Sequence, residues 1–149
     1  MKDIINRKWA IITQINREFD ELYHKIAVHY NLSDSCFWVL YILYEAKRPL
    51  SQKEICDYWC YNKQTINSAI KNLENIGYIN KGYEENNKMN KKIGLTSSGL
   101  KISEKSVKKV IEIEDRAFIS VDEKDLDTII ELMQKPLMAF KDEVNKVIK

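Results

Sequence analysis

Glycine and proline are scarce in this 149-residue chain and unevenly placed: all four glycines, at 77, 82, 94 and 99, fall within 23 residues, and the two prolines stand at 49 and 136. The flanks 1–48 and 100–149 contain no glycine and read as long helices. Cysteine numbers three, an odd count at scattered positions, which excludes a disulfide framework and suits a reducing compartment. The longest apolar run, Cys36 to Tyr44, has nine residues against the ~20 that span a bilayer. The N-terminus, MKDIINRKWAIITQ, has acid and amide groups where a signal peptide would be continuously apolar. A cytoplasmic protein with no membrane partner is expected. No GxSxG, Walker loop or HExxH appears, so catalysis has no foothold, and neither a cofactor nor a metal is expected. Gross charge is equally uninformative, since 24 basic and 22 acidic side chains leave only +2.

What is present is helical periodicity. At 44% hydrophobic content the chain can bury a real core, as one domain or two interlocked subdomains. Ile12, Ile15, Phe19, Leu22 and Ile26 step by three and four, making the first segment amphipathic. Ser33 offers an N-cap for CFWVLYILYEA. That run is apolar all round, so periodicity alone does not separate buried helix from strand; a buried helix is the reading adopted. Pro49 stops it, and Ser51 with Glu54 has capping-box spacing for a short helix over 51–59. Asn62 caps the next helix, which ends at Gly77. Residues 78–81 and 92–95 are short and β-prone, and the polar stretch GYEENNKMNK between them predicts a hairpin with a long tip. Thr96 then caps a helix over about 97–119, and Ser120 with Glu123 caps a last one over 121–148, which Pro136 should kink.

The helix after Asn62 carries the functional signal. Ile66, Ala69, Ile70, Leu73 and Ile76 make one buried side, while Lys63, Gln64, Thr65, Asn67, Ser68, Lys71, Asn72 and Asn75 fill the other, with Glu74 its only acid. A solvated face would mix both signs. Amides and hydroxyls donate and accept at base edges, lysine neutralises phosphate, and a carboxylate there would be repelled. Short helix, tight turn, second helix and hairpin together read as a winged helix-turn-helix, whose second helix enters the major groove while the hairpin reaches the backbone alongside. Residues 50–100 hold seven lysines against five acids, a mild excess in the matching place.

The same residues resemble a known family. Leu73-Glu74-x-x-Gly77-Tyr78-Ile79, followed sixteen residues after Ile79 by Leu95-Thr96-x-x-Gly99, is similar to the MarR-type transcriptional regulators, as are Leu50-Ser51-x-x-Glu54-Ile55 and Lys63-Gln64-Thr65-Ile66-Asn67. The resemblance covers about residues 30–100 by motif and the whole chain by helix order. It implies a homodimer that holds DNA with both winged domains and dimerises through terminal helices, commonly under control of a ligand or thiol oxidation. Two positions depart from the pattern. The wing tip, usually Asp followed by Arg, is Asn87, Lys88 and Met89, and a recognition-helix position that is often Arg is Ser68.

The expectation is therefore a mainly α protein with a small β-hairpin wing: a winged helix-turn-helix DNA-binding domain over 33–100, and a helical dimerisation region over 1–32 and 101–149. Partners would be double-stranded DNA with a pseudo-palindromic operator, a second copy of the chain, and a small-molecule effector. The recognition-helix candidates are Asn62, Lys63, Gln64, Thr65, Asn67, Ser68 and Lys71, with Gln64, Asn67 and Ser68 at base edges. The wing candidates are Lys88, Asn90, Lys91 and Lys92, its lysines at phosphate. An aromatic effector pocket from Trp9, Tyr23, Trp38 and Tyr41 competes with plain packing of those rings. Cys56 and Cys60, four apart on one helix, are read as packing residues, and burial of Cys36 is preferred over a thiol sensor. His24 and His29, about 140° apart around a helix, do not share a face as ligands would. The acids 122, 123, 125 and 127 crowd a helix start, where the macrodipole favours them. The rival function is a winged helix that docks a protein partner.

Overall fold

The computed structural model describes residues 2–59, 62–84 and 87–148, with the side chains of 2, 59, 83, 84 and 87–90 outside the description. Helix α1 (Lys2–His29) is followed by α2 (Asp34–Ala46), strand β1 (Leu50–Ser51), α3 (Gln52–Trp59) and α4 (Lys63–Ile76). Strands β2 (Ile79–Glu84) and β3 (Asn87–Leu95) come next, then α5 (Ser97–Lys105), α6 (Val107–Phe118) and α7 (Glu123–Val147). No helix among the described residues is long and apolar enough to cross a membrane.

The chain divides into two compact units, Met1–Val110 and Ile111–Lys149. In the first, α2 is the central buried element. Phe37, Val39, Leu40 and Ile42 are at most 1% exposed, so the apolar run is a helix enclosed on most sides. It starts where Ser33 Oγ accepts the Cys36 N–H and ends at Lys47, whose left-handed φ of 53° closes the last turn. Helix α2 packs on α1, α3, α4 and α5, and Ile55, Ile66, Ile70 and Leu73 complete the core.

The sheet has three strands in the order β1-β3-β2, all antiparallel. Strand β1 was not anticipated. Leu50 pairs with Ile93 and Ser51 with Lys92, which ties the α2–α3 connection to the wing. The hairpin is also longer than 78–81 and 92–95: pairing runs from Ile79↔Leu95 to Glu84↔Asn87, with an irregularity at Tyr83/Glu84. Backbone ladders need no apolar side chains, so the polar stretch between the β-prone segments extends the strands.

Two helix boundaries differ from expectation. The helix expected over 97–119 breaks at Ser106, whose Oγ donates to the Ile102 carbonyl at 2.7 Å, a back-bond that bends helices. The last helix is capped by Asp122, which accepts the Lys124 N–H at 2.9 Å, in place of Ser120; an ionised cap also suits the helix dipole. Pro136 lies inside α7, which runs through it from Glu123 to Val147.

Candidate nucleic-acid interface

Helix α4 begins at Asn62, whose side chain accepts the Thr65 N–H at 2.8 Å. It ends at Gly77, where φ of +86° closes the C-terminus and the Gly77 N–H reaches the carbonyls of Leu73 and Glu74. The next joint is tight. The Thr96 N–H donates to the Tyr78 carbonyl, the Thr96 hydroxyl donates to the Gly77 carbonyl at 2.6 Å, and the same hydroxyl accepts the Gly99 N–H at 3.0 Å. A methyl group on Gly99 would overlap the Tyr78 carbonyl oxygen, so glycine is required where α5 meets the end of α4.

Between these anchors α4 is sharply two-sided. Ile66, Ala69, Ile70 and Leu73 are at most 2% exposed, whereas Lys63, Gln64, Ser68, Lys71, Asn72 and Asn75 are exposed and Thr65 and Asn67 are half-buried. The core thus fixes the rotation of the helix and turns the polar strip outward. Ile76, expected on the buried side, is 50% exposed, because the helix is ending there. Glu74 does not interrupt the strip as a free anion: the Lys81 ammonium on β2 lies 2.5 Å from its carboxylate. The N-terminus of α4 lacks acids in its first turn, leaving its N–H groups and dipole without a side-chain anion.

The wing candidates divide. Lys91 is exposed. Lys92 is largely covered and held 3.3 Å from Glu54, so it is already engaged by a carboxylate. The backbones of Lys88 and Asn90 lie on β3, but their side chains fall outside the described residues.

Glu54 organises more than its sequence position showed. One carboxylate oxygen accepts the Ser51 N–H at 2.7 Å and the Ser51 hydroxyl at 2.8 Å, while Ser51 Oγ accepts the Glu54 N–H at 3.2 Å, which completes the expected capping box. Arg48 adds a contact at 2.9 Å to the other oxygen. The Ser51 N–H and hydroxyl, then Arg48 and Lys92, hold the Glu54 carboxyl down at about 2. The capping box was legible from spacing. Arg48 and Lys92 were not, because the bend at Pro49 and the β1–β3 pairing bring them in.

The remaining candidates divide as well. Tyr23 and Trp38 are in contact at a ring-centroid distance of 4.9 Å and Trp38 and Tyr41 at 5.4 Å, while Trp9 stands 14 residues before Tyr23 on α1, about 21 Å along the axis. Cys36 is buried, its Sγ 3.8 Å from the Ala69 carbonyl, and burial pushes its thiol up, away from thiolate character. Cys56 is a free, half-buried thiol, and Cys60 lies outside the described residues. His24 Nδ1 is 2.8 Å from Asp34 Oδ1. Among the described residues no group of three His, Cys, Asp or Glu side chains could hold a metal ion.

A buried two-helix core, an outward polar strip on its second helix and a three-stranded sheet beside it define a winged helix-turn-helix. Residues 30–85 match the model of the MarR family. No curated protein matches the chain. Among solved structures, the S. aureus MepR–DNA complex is 21% identical, with 87% of this chain and 94% of that one covered and a TM-score of 0.72. A Listeria monocytogenes protein complexed with 26mer DNA is 24% identical over 91% of this chain and 89% of that one, at 0.70. NMB1585, a MarR family regulator from Neisseria meningitidis, is 26% identical over 87% and 95%, at 0.66.

Proposed function

We propose that the chain is a sequence-specific, double-stranded-DNA-binding transcriptional regulator that works as a homodimer on a pseudo-palindromic site. The observation that carries this reading is the outward strip of α4, whose one acid is neutralised by Lys81. Gln64, Asn67 and Ser68 are assigned to base edges, and Lys63, Thr65 and Lys71 to phosphate, beside the dipole of the α4 N-terminus. Asn62 spends its carbonyl on the cap and keeps its amide N–H groups for the backbone. In the wing, Lys88, Asn90 and Lys91 are assigned to the phosphate backbone. Lys92, shared with Glu54, positions the wing base as much as it neutralises phosphate. Two of the similar structures are DNA complexes, which agrees with this reading.

Dimerisation is supported by apolar area that one chain does not bury. No residue of the 25-residue α7 is buried, and Ile129, Ile130, Leu137 and Phe140 are at least half exposed. On α1, Ile4, Ile5, Trp9, Ile11 and Leu22 are similarly uncovered. Faces of this extent mark association surfaces. A ligand response is assigned to the aromatic cluster of Tyr23, Trp38 and Tyr41.

Fluorescence anisotropy on a selected duplex tests the reading. With six to ten phosphate contacts per dimer, affinity should fall about 10³- to 10⁵-fold between 50 and 200 mM salt. Lys63→Ala should weaken all sequences alike and flatten the salt slope by about one, while Gln64→Ala should relax sequence preference. A chain that ignores duplex DNA in dilute buffer, or two variants that behave as the parent does, would transfer the strip to a protein partner.

A further inference from the structure

Residues 33–100 carry nine lysines and arginines against seven acids, a surplus of only two. Three of the nine are held by carboxylates: Lys81 by Glu74, and both Arg48 and Lys92 by Glu54. Glu54 differs from Glu74 in taking a cation from each of two elements. Arg48 reaches one oxygen at 2.9 Å from the α2–α3 connection, and Lys92 reaches the other at 3.3 Å from β3. The Ser51 N–H and hydroxyl fix that second oxygen, so the anion stays anchored whether or not either cation remains. Its carboxyl is held at about 2, which leaves it ionised at neutral pH.

Both cations stand where a winged helix-turn-helix meets the DNA backbone: at the entry to α3, the helix that crosses the backbone, and in the wing beside it. Lysine and arginine in such places ordinarily go to phosphate. Here the Lys92 side chain is only 20% exposed and lies against Glu54, while Arg48 is tethered a second time, to the Pro49 carbonyl at 3.2 Å. A cation already shared with a carboxylate releases fewer counterions on meeting phosphate, and the carboxylate itself repels DNA. Against this stands the pinning of the wing base. The backbone pairing of Leu50 with Ile93 and Ser51 with Lys92 also ties the wing base to α3, and ion pairs this exposed are weak, so the effect on charge outweighs the effect on position. We propose, on the DNA-binding reading above, that Glu54 is an internal counter-ion that withholds Arg48 and Lys92 from the DNA backbone and keeps duplex affinity below what the cations of the chain could supply.

Glu54→Gln separates charge from fold, because glutamine also closes a capping box. Anisotropy of the full chain on a random-sequence duplex keeps base readout out of the measurement. The slope of log affinity against log salt should steepen by about 0.9 per chain if Lys92 alone is released, and by about 1.8 if Arg48 follows. Asp57 lines the same cleft as Arg48 and Glu54 and competes for the guanidinium. One added phosphate contact is worth about 3.5-fold over a fourfold salt dilution, so the advantage of the variant over its parent should be at least about threefold larger at 50 mM than at 200 mM. Lys92→Met should flatten the slope more in the Glu54→Gln background than in the parent. In the parent, with Glu54 intact, it should flatten the slope by less than the roughly one unit expected of Lys63→Ala. Glu131→Gln, which removes an equal charge from an α7 pair with Lys135, should leave the slope as it is. Binding by Glu54→Gln that is weaker than or equal to the parent's would overturn the proposal and leave Glu54 a structural residue only. Equal steepening from Glu131→Gln, or a loss from Lys92→Met as large as that from Lys63→Ala, would overturn it too. A parent chain that ignores duplex DNA would overturn the DNA-binding reading itself, and the proposal with it.

Discussion

Replacing Glu54 by Ala removes four contacts at once from the point where the α2–α3 connection, α3 and the wing meet. Loss of a helix cap costs about 1 kcal/mol. The Arg48 and Lys92 pairs are worth about 0.2–1 kcal/mol each, and toward the lower end here, because the Glu54 carboxylate is 37% exposed and water screens it. The sum is about 2 kcal/mol at neutral pH, or a fall in Tm of about 4–8 °C for a chain of this size. The pH dependence isolates the charge. The folded carboxyl sits at about 2, below its ordinary 4.5, so the unfolded chain takes up its proton first as pH falls. The ionic stabilisation is therefore complete above about 4.5 and is lost progressively as pH drops toward 2. Thermal melts followed by circular dichroism should show a parent-to-variant gap that is full at pH 7 and much reduced at pH 3. A gap of the same size at both values, or no gap at pH 7, would refute the charge network as its source.

Gly99→Ala should destabilise by about 1–3 kcal/mol in urea melts, because the added methyl overlaps a backbone carbonyl that cannot swing away, whereas Gly82→Ala, facing open space, should fall within about 0.5 kcal/mol of the parent. Equal effects would contradict the close approach of α5 to the end of α4. Phe140→Ser, on the uncovered stripe of α7 at 69% exposure, should leave the helical content of a single chain intact while shifting sedimentation toward monomer. A variant that stays as associated as its parent at micromolar concentration would remove α7 from the proposed interface.

Punctuation signals were legible because their partners lie within four residues of one another. Ser33, the Ser51/Glu54 box, Asn62, Gly77 and Thr96 all cap the elements assigned to them. The signal weakened where two residue types compete at one terminus. Ser120 and Asp122 both offer a cap, and the ionised side chain two residues on was taken. It failed at Ser106, since whether a serine turns its hydroxyl back on its own helix or outward leaves no trace in apolar spacing. The wing was placed correctly and drawn too short, because cross-strand pairing is chosen by backbone partners up to 16 residues apart.

The chain order of helices and hairpin, and the polar character of one side of α4, follow from the sequence alone, since helical period and capping are properties of neighbours. That this side faces outward was decided by the tertiary core, where Ile66, Ile70 and Leu73 must leave water and take the rest of the helix with them. The fold likewise brought Lys81 to Glu74, Lys92 to Glu54, and Asp34 to His24 beside Tyr23 and Trp38. Electrostatic and aromatic contacts act through space at a few ångströms, and residues 7 to 38 positions apart reach that distance only once the chain has folded.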